Sequence, residues 1–362
     1  MTGCMNGAAW AAMATAGTVA AALLAAAPGG QAGANAGNAD AHTYTNPVGE
    51  GLLMGDPFAV RYDGAYYLTG TTDAGRGFRL WSSPDLVHWK PLGFAYTRGE
   101  GSWGERSFWA PELFRYRDRY YLVYSANRKD ADAGKAGFRI CLAAAEKPAG
   151  PYTDVHAPWC DPGYSCIDGH VFVDADGAAY LYFAKVGVVR EPKLKLHAMI
   201  HGVRLKADLS GPAGEPVLCT EATQPWETPP EGRSFCNEGP FVFRRGERYY
   251  MTYSANHYAE PFYGVGYATA RSPLGPWRKA PDNPLLRQDK QAGVSGPGHC
   301  SVTASPDGKE MFVVYHAHAD PLRPGGQRTV NIDRLLIEKD GRLKVAGPTR
   351  SPQPLPSGAG RQ

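Results

Sequence analysis

From about residue 50 onward, apolar and polar positions alternate in short runs, and no stretch carries a sustained helical period. Five segments share one shape: a small or acidic residue, an apolar strand, a polar turn, then an aromatic strand. They read DPFAVRYDGAYYLTGT from Asp56, APELFRYRDRYYLVYS from Ala110 and DGHVFVDADGAAYLYFA from Asp168, then EGPFVFRRGERYYMTYS from Glu238 and HCSVTASPDGKEMFVVYHA from His299. Turn pairs such as Asp63-Gly64, Asp176-Gly177 and Asp307-Gly308 mark a hairpin in each of three segments, because Asp and Gly accept the positive φ of a tight turn. Further short strands follow, for example Phe78 to Ser82, Phe138 to Ala144 and Tyr263 to Ala270. The aromatic doublet or its equivalent falls at 66, 120, 180, 249 and 312. Four strands per sixty or so residues, five times over, predict an all-β fold: a five-bladed β-propeller with four antiparallel strands per blade.

Composition supports that class. Gly (44) and Pro (30) supply turns, and the 20 Tyr suit strands. Lys plus Arg number 38 against 35 Asp plus Glu. So balanced a charge gives no reason to expect nucleic acid or an anionic membrane surface as partner. The expected domains are a leader over 1–41, the propeller over 42–347, and a Pro/Ser/Gly-rich tail over 348–362. The first 39 residues hold 16 Ala and no charged side chain. The weakly apolar run Ala8–Ala27, followed by Pro28, Gly29 and Gly30, reads as a secretory signal peptide with its cleavage region, although no Lys or Arg precedes the run. A membrane anchor is the competing reading, and Ala is a poor membrane residue. The mature chain is therefore expected to be exported, extracellular or periplasmic, and a monomer free of the membrane. Seven Cys occur, and Cys4 would leave with the leader. The remaining six suit an oxidising compartment. Cys160 with Cys166 is the simplest pairing, whereas Cys141, in an apolar run, reads as a buried thiol. No spacing fits a structural zinc.

In a propeller the innermost strands converge on a central axis, so residues at their starts share a pocket. Counted back from the aromatic doublet, Asp56, Asp168, Glu238 and His299 fall near that start, and Ala110 stands there in the second repeat. Three carboxylates in one cavity raise at least one pKa by repulsion and desolvation. One group then holds a proton near neutrality while another stays ionised, as breaking a glycosidic bond requires. Asp63, Asp118, Asp174, Asp176 and Asp307 belong to turns.

The strings Met54-Gly55-Asp56-Pro57-Phe58, Phe108-Trp109-Ala110-Pro111-Glu112, Ile167-Asp168-Gly169-His170, Asn237-Glu238-Gly239-Pro240 and Gly298-His299 resemble glycoside hydrolase family 43 over about residues 50–340. The resemblance implies a five-bladed propeller enzyme that inverts configuration and acts on arabinose-, xylose- and sometimes galactose-containing polymers. It implies Asp56 as general base, Glu238 as general acid, and Asp168 as the residue that orients the acid and tunes its pKa. It also implies that His299 helps hold a hydrated cation, often calcium, in the channel, although a lone His suits that oxygen-seeking ion poorly and a buried hydrogen-bonded His is the alternative. No cofactor is expected for the chemistry. Arg328 is the candidate for the family's last-blade Arg that contacts the sugar and the tuning Asp, with a surface ion pair as the alternative. Trp109 suits a sugar face or a packing role. His257, with Trp103, Tyr258 and Phe262, is expected at the pocket mouth. Glu112 reads as structural, in the register of Phe58, Phe172 and Phe241. The expected activity is release of a terminal pentose from an oligosaccharide or polysaccharide, with α-L-arabinofuranose first and xylose second. Exo-galactanase, endo-arabinanase and a non-catalytic sugar-binding propeller are the alternatives. The key position differs in every repeat, which fits one asymmetric site better than a lectin's repeated ones.

Overall fold

The computed structural model describes residues 42–128, 137–189, 195–229, 232 and 234–360. The expected leader lies outside the described residues. Almost all regular structure is β, and the one helical element among the described residues is a 3₁₀ turn, Pro225–Glu227.

The strands run in groups of four. A short strand β1 (Thr43–Tyr44) precedes the first group: β2 (Gly55–Tyr62), β3 (Ala65–Thr71), β4 (Gly77–Ser83) and β5 (Lys90–Thr97). The second group is β6 (Arg106–Tyr116), β7 (Arg119–Arg128), β8 (Gly137–Ala145) and β9 (Thr153–Cys160). The third is β10 (Cys166–Val173), β11 (Ala179–Val189), β12 (Lys195–Arg204) and β13 (Val217–Thr220). The fourth is β14 (Ser234–Arg245), β15 (Arg248–Ala255), β16 (Gly264–Ala270) and β17 (Arg278–Lys279). The fifth is β18 (Gly298–Ala304), β19 (Met311–His318), β20 (Arg328–Ile337) and β21 (Leu343–Val345), and β22 (Gln353–Pro354) closes the chain. Within each group successive strands pair antiparallel. The third and fourth groups join into one eight-stranded sheet through a short parallel pairing of β12 with β14.

The first strands of the groups close a ring: β2 packs on β6, β6 on β10, β10 on β14, β14 on β18, and β18 on β2. The core lies between neighbouring sheets. Phe78, Phe108, Leu122 and Tyr124 fill the space between the first and second groups. Val123, Ile140, Leu181 and Phe183 do so between the second and third. The third strand of the second group, β8, is buried along its whole length, whereas the outer strand β5 is exposed over its first half, so burial on both faces belongs to strands inside each group.

Two expectations are corrected. The Pro/Ser/Gly-rich stretch after 347 is no free tail up to residue 360. There β22 pairs with β1, and Thr349 donates from its hydroxyl to Asp333 Oδ1 at 2.6 Å. Its turn residues let it lie close along the body and satisfy its polar groups there. The six cysteines after the leader are all free and buried. Cys166 Sγ donates to the Cys160 carbonyl, 3.8 Å away, rather than bonding to the other sulfur. Cys141 is fully buried in its apolar strand, as expected.

Candidate active site

Every first strand breaks register with its hairpin partner at the same point. The residues standing in the breaks are Asp56, Ala110, Asp168, Gly239 and His299, all with φ between 44° and 59°. A bulge of this kind re-aims a side chain. Left-handed backbone is costly for non-Gly residues and is concentrated at functional sites. Glycine is needed at 239 for a further reason: a Cβ there would meet His299 Nδ1 at 3.0 Å.

These bulges correct the counting from the aromatic doublet. Asp56, Asp168 and His299 share one register, but Glu238 stands one residue ahead of it, level with Gly55, Trp109, Ile167 and Gly298. The hairpin turns differ in length, so distance from the doublet does not measure register. Glu112 is likewise level with Phe58, His170, Phe241 and Ser301, not with Phe172. Its Oε2 lies 2.6 Å from His170 Nδ1, and the other ring nitrogen of His170 accepts from the Val242 amide at 2.9 Å. Glu112 thus ties the second and third groups together through His170.

The amide of each bulged residue reaches a side chain for its hydrogen bond. Ala110 donates to Thr71 Oγ1 (2.9 Å), Asp168 to Ser125 Oγ (2.9 Å), His299 to Ser254 Oγ (2.7 Å) and Asp56 to His316 Nδ1 (3.1 Å). In each case the acceptor sits in the second half of the second strand of the preceding group, level with the residue before that group's own bulge. The third group has Ala184 there, which carries no acceptor, and the Gly239 amide turns instead to Asp168 Oδ2 at 3.1 Å. One carboxylate thus holds the backbone beside Glu238.

A cavity of about 260 Å³ opens at this ring. Asp56, Trp109, Asp168, Glu238, His257, His299 and Arg328 all line it. The polar lining is divided electrostatically. Burial alone would raise the Asp56 carboxyl, yet the Arg328 guanidinium, 2.8 Å from Oδ1, and the Thr71 hydroxyl, 2.6 Å from Oδ2, hold it well below the usual carboxylate range. Burial pushes the Asp168 and Glu238 carboxyls in the opposite direction, each to about 7. The Glu238 charge raises Asp168 further. Tyr263, whose hydroxyl donates to Glu238 Oε1 at 2.8 Å, partly offsets the rise at Glu238. The cavity therefore holds an ionised carboxylate on one wall and a proton-retaining pair on another.

Arg328 contacts Asp56, not the expected Asp168. Its guanidinium also lies over the Tyr258 ring at 4.8 Å, so the planar fork is held by stacking as well as by charge. Trp109 lines the cavity and stacks on Phe138 at 4.5 Å, so it packs in the fold as one of its two expected roles requires. His257 and Tyr258 are at the cavity, whereas Trp103 packs into the core between the first and second groups. His299 Nδ1 stands 3.4 Å from Asp56 Oδ1. Among the described residues no group of three or more His, Cys, Asp or Glu is arranged to hold a metal ion. A single ring nitrogen turned to Asp56 does not fit the all-oxygen cage that calcium takes.

Sequence reading missed Thr71, Tyr263 and His316. Thr71 and His316 belong to a column visible in the five segments, whose aromatic strands reach Thr71, Ser125, Ala184, Ser254 and His316 at equivalent places. Tyr263 had no such signal. Behind Glu238, the buried Glu227 carboxylate accepts from Tyr253 OH (2.8 Å), Lys279 Nζ (2.7 Å) and Asn237 Nδ2 (3.3 Å), which braces the residue before the acid.

Comparison with known proteins bears on this geometry. The profile of Glycosyl hydrolases family 43 matches residues 44–343. A Beta-D-galactofuranosidase xynD of Aspergillus niger is 29% identical over 316 residues, covering 82% of this chain and 83% of the relative. An extracellular exo-alpha-(1->5)-L-arabinofuranosidase of Streptomyces avermitilis is 27% identical, covering 83% of this chain and 62% of the relative. A crystal structure of a thermostable family-43 glycoside hydrolase superposes with a TM-score of 0.81 at 46% identity, over 87% of this chain and 99% of the other.

Proposed function

The chain belongs to glycosyl hydrolases family 43 and hydrolyses glycosidic bonds, and from that premise we propose an inverting exo-acting enzyme that releases a terminal furanose, α-L-arabinofuranose first, from a plant-type glycan. The closed ring of first strands is read as the hub of a five-bladed propeller, with each group of four strands as a blade. The observation that carries the proposal is the unequal acidity around one cavity, with Asp56 held ionised by Arg328 and Thr71 while Glu238 is driven towards neutrality.

The chemistry follows from that inequality. Asp56 takes a proton from a water as its oxygen attacks the anomeric carbon. The bond from that carbon to the leaving oxygen breaks, and Glu238 gives its proton to the departing oxygen. Asp168 accepts from the Gly239 amide and so orients the acid next to it, while the Glu238 charge raises the Asp168 carboxyl itself. Trp109 and His257 face the sugar. Exo action is supported by the exo-acting Streptomyces relative. Names of relatives support furanosides: one is an arabinofuranosidase and another a galactofuranosidase. A galactofuranoside is the second reading, favoured by the extent of the second of these matches. Export follows from the leader expected over 1–41 and agrees with the extracellular description of the Streptomyces relative.

Asp56→Ala and Glu238→Ala are each expected to lower turnover at least about 100-fold in folded protein. The substrates are nitrophenyl glycosides of arabinofuranose, galactofuranose and xylose, followed by arabinan and arabinoxylan. Proton NMR of the first-formed product should show the inverted anomer. A retained anomer, or full activity in either variant, would sink the assignment.

A further inference from the structure

Glu238 has two carboxyl oxygens, and an acid catalyst must present its proton on the one that faces the leaving group. The side chain of Tyr263 decides between them. Its residue is fully buried at the entry to β16, and its hydroxyl donates to Glu238 Oε1 at 2.8 Å. The ring is held from the other side by His316, whose imidazole lies parallel to it, 4° between planes and 5.6 Å between centroids. His316 is itself fixed, because its Nδ1 accepts the Asp56 amide. Room for the phenol depends on Gly298, since a Cβ there would run into the Tyr263 ring. The ring therefore has one available position, wedged between the fourth and fifth groups, with its hydroxyl on one oxygen of the acid.

We propose that Tyr263 is a positioning residue for the proton donor: its hydroxyl occupies Oε1 of Glu238 as a donor, which leaves Oε2 as the oxygen that carries the proton. The proposal rests on the reading of Glu238 as general acid. No bond is made or broken at Tyr263. It stays a phenol throughout, because burial and the nearby Glu238 charge push its own ionisation well above the ordinary range. Its hydrogen bond also favours the ionised form of Glu238, so it eases proton loss in the step where the acid must give its proton away. The Tyr263–His316 stack further links acid to base, since one ring holds the Glu238 carboxyl and the other holds the Asp56 backbone.

The test is Tyr263→Phe, which keeps the ring and its stack, compared with wild type on two substrates. Arabinobiose has a poor leaving group that needs the acid. 2,4-Dinitrophenyl α-L-arabinofuranoside has one that departs without it. The expected result is a loss of kcat of about tenfold or more on arabinobiose with a much smaller loss on the dinitrophenyl glycoside. The basic limb of the pH–rate profile should also move upward, since removing a donor to the carboxylate raises its pKa. A thermal melt close to that of wild type verifies the fold. Equal losses on both substrates with an unmoved basic limb overturn the proposal, as does unchanged kinetics on arabinobiose. Glu238→Ala, run in parallel, separates the two levels: if it loses activity while Tyr263→Phe behaves in either of these ways, only the role of Tyr263 falls. If Glu238→Ala keeps full activity, both the role and the reading beneath it fall.

Discussion

Asp56 and Glu238 carry the same functional group and meet opposite surroundings. A guanidinium and a hydroxyl touch both oxygens of Asp56, whereas Glu238 has one neutral hydroxyl and a second carboxyl nearby. The chemical contrast therefore lies in neighbours, not in the acids themselves. Arg328 is the largest stabiliser of the Asp56 charge after burial has raised it. Arg328→Gln is expected to raise the Asp56 pKa and move the acidic limb of the pH–rate profile upward. The loss of kcat/KM at pH 5 should exceed the loss at pH 7, which a pair of profiles would check. The three acids were recognisable from their place before each strand. Their neighbours were not, because Arg328 is 272 residues from Asp56 along the chain and no local pattern joins them.

At the scale of the strand, the bulge is the working unit. It turns Asp56, Asp168 and His299 into the cavity, and the side chain that accepts its amide comes from the preceding group. Each acceptor therefore ties two sheets together at the rim of the cavity. Ser125→Ala removes the partner of the buried Asp168 amide. It is expected to cost about 1–3 kcal/mol of stability, the usual penalty for an unsatisfied buried group, as read from urea unfolding. Hairpins and strand order were legible, since the turns at Asp63-Gly64, Asp176-Gly177 and Asp307-Gly308 stand where expected. The one-residue offset of Glu238 was not. Turns of unequal length shift the count from the doublet, and the hydrogen-bond ladder alone reveals which residue is left out of it.

For the molecule as a whole, an acid kept protonated is a cost to the fold. The Glu238 carboxyl rises from an ordinary 4.5 to about 7 on burial. A pKa raised in the folded state contributes stability that is complete below the unfolded value and is lost as pH rises through the folded one. Wild type should therefore lose stability between about pH 5 and 8, while Glu238→Gln has no such charge to bury. The melting temperature of Glu238→Gln relative to wild type is expected to be higher at pH 8 than at pH 5, whereas wild-type activity should fall as pH rises through about 7. The terminal segment belongs to this scale as well. Cutting the chain after Gly347 removes β22 and the Thr349 bonds to Asp333. The melting temperature should drop by about 5 °C or more, as differential scanning calorimetry would record. The sequence by itself determined that the chain is built of strands, that they repeat in five similar groups, and which acids stand at their starts, because alternation and turn chemistry act between residues near one another. Tertiary structure alone decided which acid is ionised, that Arg328 serves Asp56, that Tyr263 meets Glu238, and that the segment with β22 and Thr349 lies on the body. Those outcomes depend on burial and on charges brought within 3 Å or so of each other across a closed ring, and distance along the chain carries no record of either.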